Sequence, residues 1–244
     1  MPTFGSYPLA EIGTLRGRLK ALTSESPTLR DAARACLDEL FREFEESLAL
    51  VRLFATVRFG SLPEQERDFA RRLAAGRKVL DELSDDTLVA TLMASRGVEP
   101  AWNDPHQSRS HLAIPILSAS FIQTIPLVSR ILADSGIGVP WLKKQNSLIT
   151  VKTVGGMAEL IYVEDARTTK TGDGYTVIPS QDFVDAHGVR TVLAMGGRYL
   201  NGTTLALVLF TTEPIPEEQA ARFTTILNTI KAATMKVVMD GKLI

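Results

Sequence analysis

Three histidines, His106, His111 and His187, have the widest choice of chemistry in this chain. An imidazole can bind a metal, ligate haem iron or exchange a proton near neutral pH. His106 and His111 are five residues apart in a polar stretch, which is not a recognised metal-ligand spacing. His111 opens the apolar run HLAIPIL, so it could be an axial haem ligand, or simply a polar residue where a strand begins. His187-Gly188 is more typical of a loop before a strand.

No pattern of acidic or thiol groups indicates catalysis. The carboxylates of Asp104, Glu164, Asp165, Asp182 and Asp185 have no spacing that would place two of them beside a nucleophile. Cys36 is the single cysteine, so neither an intrachain disulfide nor a multi-cysteine metal site can form. It falls on the apolar stripe of a predicted helix, where a cysteine behaves as a small hydrophobe. We therefore expect no enzymatic activity.

The elements that would position these residues begin with helices. Leu9, Ile12, Leu15, Leu19 and Leu22 recur at helical spacing, although Gly13 and Gly17 weaken that helix. Ser26-Pro27 starts a second helix that runs to Glu46. Near the other end, the last predicted helix carries one buried stripe: Phe223, Leu227, Ile230, Thr234 and Val237.

The rest of the pattern is mostly β. SLALVRLFATVRF, residues 47–59, alternates small and apolar residues with Arg52, Thr56 and Arg58, which predicts a half-buried strand. A second strand is predicted over 87–95, and Pro115 predicts an edge position for HLAIPIL. A helix is predicted over 118–135. Hairpins are predicted at Gly155-Gly156 and Asn201-Gly202, with YTVIPS as a further strand. The sequence predicts an α+β fold, with helices on one face of an antiparallel sheet.

Composition excludes several classes of partner. Of 244 residues, 45% are hydrophobic and 23% are charged, and the net charge is −1. That charge gives no electrostatic basis for binding nucleic acid or an anionic membrane. Apolar runs such as LALVLF are too short to span a bilayer. The first residues lack the basic and apolar regions of a signal peptide, so we expect a cytoplasmic protein.

Read in this order, the chain resembles the GAF family of sensor domains. SLALVRLFATVRF resembles the first GAF strand, HLAIPILSAS a strand that leads into a pocket-covering segment, and HGVRTVLAMGGRYLNGTTLALVLFTTEPIPEEQ the last hairpin and closing helix. YVEDARTT and VIPSQDFVDAHGVRTV are similar to a divergent GAF-like region found ahead of histidine kinase and response-regulator modules. The chain departs from the bilin-binding and methionine sulfoxide reductase types in its cysteines, and it lacks the NKFDE set of cyclic-nucleotide binders.

The resemblance implies a ligand pocket on one sheet face and helices, often dimerising, on the other. Residues 1–25 would form an N-terminal helix and 26–240 a GAF-like sensory domain. We expect a non-catalytic, homodimeric two-component signalling protein that binds a small molecule or a partner such as a histidine kinase. The alternatives are a haem or metal sensor that uses His111 or His187, and a ligand-free scaffold for protein interaction. The tryptophans lie in long loops, where each could wall a pocket or merely pack a loop onto the core. The candidate ligand-lining residues are Trp102, His111, Phe121, Trp141, Tyr162 and His187.

Overall fold

The structure, a computed structural model, describes residues 3–117, 150–154, 158–170, 174 and 176–244. The α-helices in these ranges are α1 Leu9–Ser24, α2 Leu29–Glu43, α3 Glu64–Gly76, α4 Gln181–Ala186, α5 Glu217–Arg222 and α6 Thr224–Met239. The strands are β1 Leu48–Arg58, β2 Leu88–Gly97, β3 Ala113–Pro115, β4 Thr150–Val154, β5 Ala158–Val163, β6 Val192–Arg198 and β7 Thr204–Thr211. No helix within the described ranges is long and apolar enough to cross a membrane.

The described strands form one antiparallel sheet in the order β3-β2-β1-β7-β6-β5-β4. The α+β prediction is therefore confirmed. Pro115 lies on the edge strand β3, as expected, because proline cannot donate a backbone hydrogen bond to a further strand. Gly202 has a positive φ of 90° in the β6–β7 turn, a conformation that glycine adopts without strain. β1 lies between β2 and β7, so its side chains occupy the middle of both sheet faces.

One face of the sheet is covered by α2 and α6, and α1 packs on these two helices. The aromatic rings of Phe4 and Phe44 stack with their centroids 3.8 Å apart, and Phe223 packs at their edges. Cys36 is fully buried in this core, which confirms the packing role expected from its helical stripe. On α6 the predicted stripe is buried as far as Thr234. The stripe then continues through Val238 rather than Val237, which is only half-buried.

Helix α1 shares this core and is also held by polar contacts. Ile12, Leu15 and Leu19 are buried with the side chains of α2 and α6. The Arg18 guanidinium donates to Glu39 at 2.6 Å and also pairs with Glu43, which accepts from the Tyr7 hydroxyl. The division of the chain at residue 25 remains a prediction, but α1 packs as part of the same core.

The second face of the sheet is also covered, which the sequence did not indicate. Val177, Val184 and Val189, from the segment around α4, pack with strand residues in a separate core cluster. The strand residues in this cluster are Ala49, Phe54, Leu92, Ile161, Val163, Val192, Ala194, Ala206 and Val208. The half-buried prediction for β1 is wrong, because Phe54 and Thr56 are both buried on this side.

Two further predictions differ from the structure or fall beyond it. The strand predicted for YTVIPS is wrong, since the sole bridge described there pairs Thr176 with Lys170. Pro179 lacks the N–H that a longer ladder would need at that point. β4 and β5 pair as the predicted hairpin around Gly155-Gly156, although the turn itself lies outside the described residues. The helix predicted over 118–135 also lies outside them.

Candidate ligand-binding site

Arg52 lies near the middle of β1 and points to the second face of the sheet. It faces Ser95 on β2 and Val208 on β7 in the strand register. Because side chains alternate along a strand, Arg52 shares this face with Phe54, two residues further on. Both cross-strand neighbours are buried, and Arg52 itself is half-buried. A long cationic side chain is thereby placed among apolar groups at the centre of the sheet.

Two polar side chains contact the Arg52 guanidinium. Its Nε donates to the Ser95 hydroxyl at 3.4 Å, and its Nη1 lies 3.5 Å from Nδ1 of His111. The Ser110 hydroxyl is 2.7 Å from the same His111 nitrogen. A guanidinium can only donate, so Nδ1 of His111 faces it as an acceptor, which leaves the ring proton on Nε2. We call Arg52, Ser95 and His111 the polar trio.

Burial controls the charges in the polar trio. It lowers the pKa of the Arg52 guanidinium to about 10, so the group stays protonated at neutral pH. Burial, followed by repulsion from Arg52, lowers the pKa of His111 to about 4, so this imidazole is neutral. Within the ranges that the structure describes, no carboxylate pairs with Arg52. Among the described residues, the positive charge of Arg52 is therefore not compensated by a carboxylate.

An aromatic group lies beside the polar trio on the same face: Trp102, Phe183, His187 and Phe210. The Trp102 ring meets those of His187 and Phe183 at centroid distances of 4.6 and 5.4 Å, and Phe183 meets Phe210 at 5.3 Å. Phe210 pairs with Leu50 on β1. Leu50 is two residues from Arg52, a separation of about 7 Å along the strand. An apolar wall therefore stands next to the charged group.

Gly97 allows Trp102 to lie against the sheet. A Cβ added at Gly97 would come within 2.7 Å of Trp102 Cε3 and 2.9 Å of the Ala49 carbonyl oxygen. The Gly97 N–H also donates to the Asn103 side chain at 2.9 Å, which ties the loop to the end of β2. The glycine thus fixes where the predicted loop, residues 99–110, crosses the sheet.

The structure brings together only part of the predicted ligand-lining set. Trp102 and His187 contact each other, and His111 contacts Arg52 on the same side of the sheet. Tyr162 belongs to the helix-covered core instead, where its hydroxyl donates to the Ile215 carbonyl at 2.8 Å. The structure therefore separates Tyr162 from the other candidates. Phe121 and Trp141 lie outside the described residues.

His106, the third histidine, is placed away from the polar trio. Its Nε2 lies 3.5 Å from Glu66 on α3, and its Nδ1 lies 3.4 Å from Asp104. The Glu66 carboxylate is buried and accepts from Arg30 at 2.6 Å. In the described part of the chain, no cluster of three or more histidine, cysteine or acidic residues could hold a metal ion.

A cleft of about 440 Å³ lies at the other end of β1, beside Arg58 and Arg198. Arg58 forms an ion pair with Asp86 at 2.7 Å, and Arg198 donates to the Gly202 carbonyl at 3.3 Å. The arginines of this cleft already have partners within the chain. Arg58 has an acidic partner, whereas no carboxylate among the described residues pairs with Arg52.

No protein-family model matches the sequence, and no curated protein matches it. Solved structures similar to it include the phycocyanobilin-bound GAF domain from a cyanobacterial phytochrome, at 12% identity and a TM-score of 0.48, covering 94% of this chain and 96% of that one. The GAF domain from Acinetobacter phosphoenolpyruvate-protein phosphotransferase has 12% identity and a TM-score of 0.43, with 96% and 97% covered. CepR2, an N-acylhomoserine lactone dependent LuxR family transcription factor from Burkholderia cenocepacia, has 12% identity and a TM-score of 0.42, with 95% and 97% covered. GAF domains are thus among the structural neighbours, but this level of similarity assigns no ligand to the chain.

Sequence reasoning missed Arg52, the residue on which the site centres. The available signal was an arginine within LALVRLFATV, a run too apolar for a strand with one solvated face. Other arginines have an acidic partner: Arg167 pairs with Asp165 at 3.0 Å, and Arg190 lies 4.0 Å from the same carboxylate.

Proposed function

We propose that this chain is a GAF-like sensory domain that binds a small molecule on the sheet face opposite α1, α2 and α6. One observation carries the proposal: the polar trio stands within an otherwise apolar face, next to the aromatic group. Small-molecule sites combine mostly apolar walls with a few placed polar groups, and this face has both.

Binding without catalysis fits the chemistry of these groups. The Ser110 hydroxyl lies against His111, which is the arrangement of a nucleophile and its base. However, a base works best when its pKa is near the working pH, and the pKa of His111 is about 4. The charge of Arg52 opposes any proton transfer to this imidazole. We therefore propose a receptor and not an enzyme.

We also propose that the chain forms a homodimer. Leu9 and Leu22 of α1 are 66% and 45% exposed, on the helical side of the molecule and away from the site. Two copies joined there would leave both ligand sites open. A histidine kinase or another signalling protein would read the state of the dimer.

Native mass spectrometry of protein purified without refolding tests the binding proposal. We expect a non-covalent adduct of small-molecule mass that is released on denaturation. Exchanging Val208, the buried neighbour of Arg52, for tryptophan would place a bulky indole beside the trio and should abolish the adduct. Thr14→Trp, on the exposed side of α1, is the matched control and should retain it. Wild-type protein without an adduct, which also fails to bind the uncharged fluorophore N-phenylnaphthylamine, would refute the proposal.

A further inference from the structure

The charge of Arg52 requires a partner that the described chain does not provide. A cation taken out of water loses hydration free energy, and proteins offset this loss with a nearby anion. The buried or half-buried arginines elsewhere follow this rule: Arg30 pairs with Glu66, and Arg18 pairs with Glu39. In the described ranges, the hydrogen-bond partners of Arg52 are the neutral side chains of Ser95 and His111.

The hydrogen bonds of the trio orient the guanidinium while leaving part of it unused. The Ser95 hydroxyl accepts from Nε of Arg52, and Nδ1 of His111 faces Nη1. No described group accepts from Nη2. A guanidinium presents its N–H groups as a planar fork that matches the two oxygens of a carboxylate or the oxygens of a phosphate or sulfonate. The neutral His111 ring adds an Nε2–H donor. Because the ring carries no negative charge, it does not repel an anion.

We infer that the polar trio binds the anionic head group of a small organic acid whose apolar body lies against the aromatic group. This inference rests on the proposed function and adds the chemical class of the ligand. The head group neutralises Arg52, and the apolar body packs on the aromatic rings, of which Phe210 is paired with Leu50, two residues before Arg52.

Two fluorescent probes with the same aromatic skeleton separate charge from apolar binding. Anilinonaphthalene sulfonate carries one anionic group, and N-phenylnaphthylamine is its uncharged counterpart. Both would be titrated into wild-type protein, Arg52→Met and Arg58→Met at neutral pH, after any co-purified ligand has been removed by dialysis. Arg58→Met is the matched control, because Arg58 is on the same strand, is exposed and pairs with Asp86.

We expect wild-type protein to bind the sulfonate at least about tenfold more tightly than the uncharged probe, the size of effect that one charge-assisted hydrogen bond supplies. Arg52→Met should remove this preference by weakening sulfonate binding at least about tenfold, whereas Arg58→Met should keep the preference. Equal binding of the two probes, or a sulfonate preference that survives in Arg52→Met, would overturn the inference while the proposed function stands. Binding of neither probe would refute both.

Thermal unfolding of the same variants separates a binding role from a structural one. A methionine has the length of the arginine stem and removes an uncompensated buried charge, so ligand-free Arg52→Met should melt at or above the wild-type temperature. A ligand-binding residue that costs stability is expected to behave in this way. A melting temperature several degrees below wild type would identify Arg52 as a structural residue and would also overturn the inference.

Discussion

At the scale of single residues, burial leaves Arg52 charged but makes His111 neutral. Burial lowers the pKa of both side chains, but only His111 crosses the neutral range and loses its charge. Because the imidazole is neutral, its Nδ1 can face the guanidinium as an acceptor at 3.5 Å. The trio thus contains one permanent cation and one histidine that resists protonation.

His111 gives the free energy of unfolding a defined pH dependence. The unfolded chain binds a proton at about pH 6.5, whereas the folded chain binds it only near pH 4, so stability should fall as the pH drops between these values. The loss is at most about 3.5 kcal/mol, since each pKa unit corresponds to about 1.4 kcal/mol. Urea denaturation of wild type and His111→Gln at several pH values would measure it. The variant should show a smaller loss, and equal losses in the two proteins would contradict this assignment.

A residue such as Arg52 is hard to recognise from sequence because its meaning depends on what covers the sheet. The alternation in residues 47–59 correctly predicts the strand, but an arginine on one side is normally taken as evidence for solvent there. The covering segment around α4 is more than a hundred residues away in sequence. Because this segment packs on the second face of the sheet, the strand face that carries Arg52 is partly buried.

At the scale of elements, Gly97 and Trp102 determine how the loop of residues 99–110 lies on β2. Gly97→Ala should destabilise the protein by roughly 1–3 kcal/mol, because the new methyl group would meet Trp102 and the Ala49 carbonyl oxygen. Gly13→Ala is the control. This glycine lies inside α1 with nothing near its Cβ position, so the change should stabilise by up to about 1 kcal/mol. Chemical denaturation measures both, and a neutral Gly97→Ala would show that the contact is not close.

The buried Arg30–Glu66 pair joins α2 to α3, so Glu66→Gln should cost about 3–5 kcal/mol by leaving the Arg30 charge buried and unpaired. Glu64→Gln, on the same helix, removes an exposed carboxylate that pairs with Arg67 and Arg71. It should cost under about 1 kcal/mol. Measuring the melting temperatures of both variants compares the two stability losses directly. A Glu66→Gln variant as stable as Glu64→Gln would show that the buried pair contributes little.

The elements were predictable where local chemistry is strong. The Asn201-Gly202 turn, the proline edge strand and the helical stripe from Phe223 to Thr234 each follow from a few neighbouring residues. YTVIPS has the composition of a strand but makes only one bridge, because pairing also depends on a neighbouring strand that the local sequence does not specify.

At the scale of the whole molecule, the sheet separates two surfaces with different proposed roles. Aliphatic and aromatic residues of α1, α2 and α6 fill one face, and the polar trio and aromatic group lie on the other. The general architecture could be predicted from sequence because periodicity reports which side of each element is apolar. The site could not be predicted from sequence, because its residues come from separate segments: β1, β2, residues 99–112, the segment around α4, and β7.

The proposed dimer follows from this division. Light scattering after gel filtration should give the mass of two chains for the wild-type protein. Leu22→Glu should lower the measured mass to that of one chain, because an exposed leucine of α1 becomes charged. Leu200→Glu is the control, since this residue is 87% exposed in the β6–β7 turn. A wild-type protein that stays monomeric at high concentration would refute the dimer without affecting the ligand site.

The location of the ligand site is the central claim, and NMR chemical-shift mapping with N-phenylnaphthylamine tests it most directly. In deuterated, nitrogen-labelled protein, the probe should shift the backbone amides of Arg52, Ser95, His111 and Val208 and the indole signal of Trp102. The amides of α1 and of the cleft near Arg58 should stay in place. Shifts confined to the helical side or to that cleft would contradict the account.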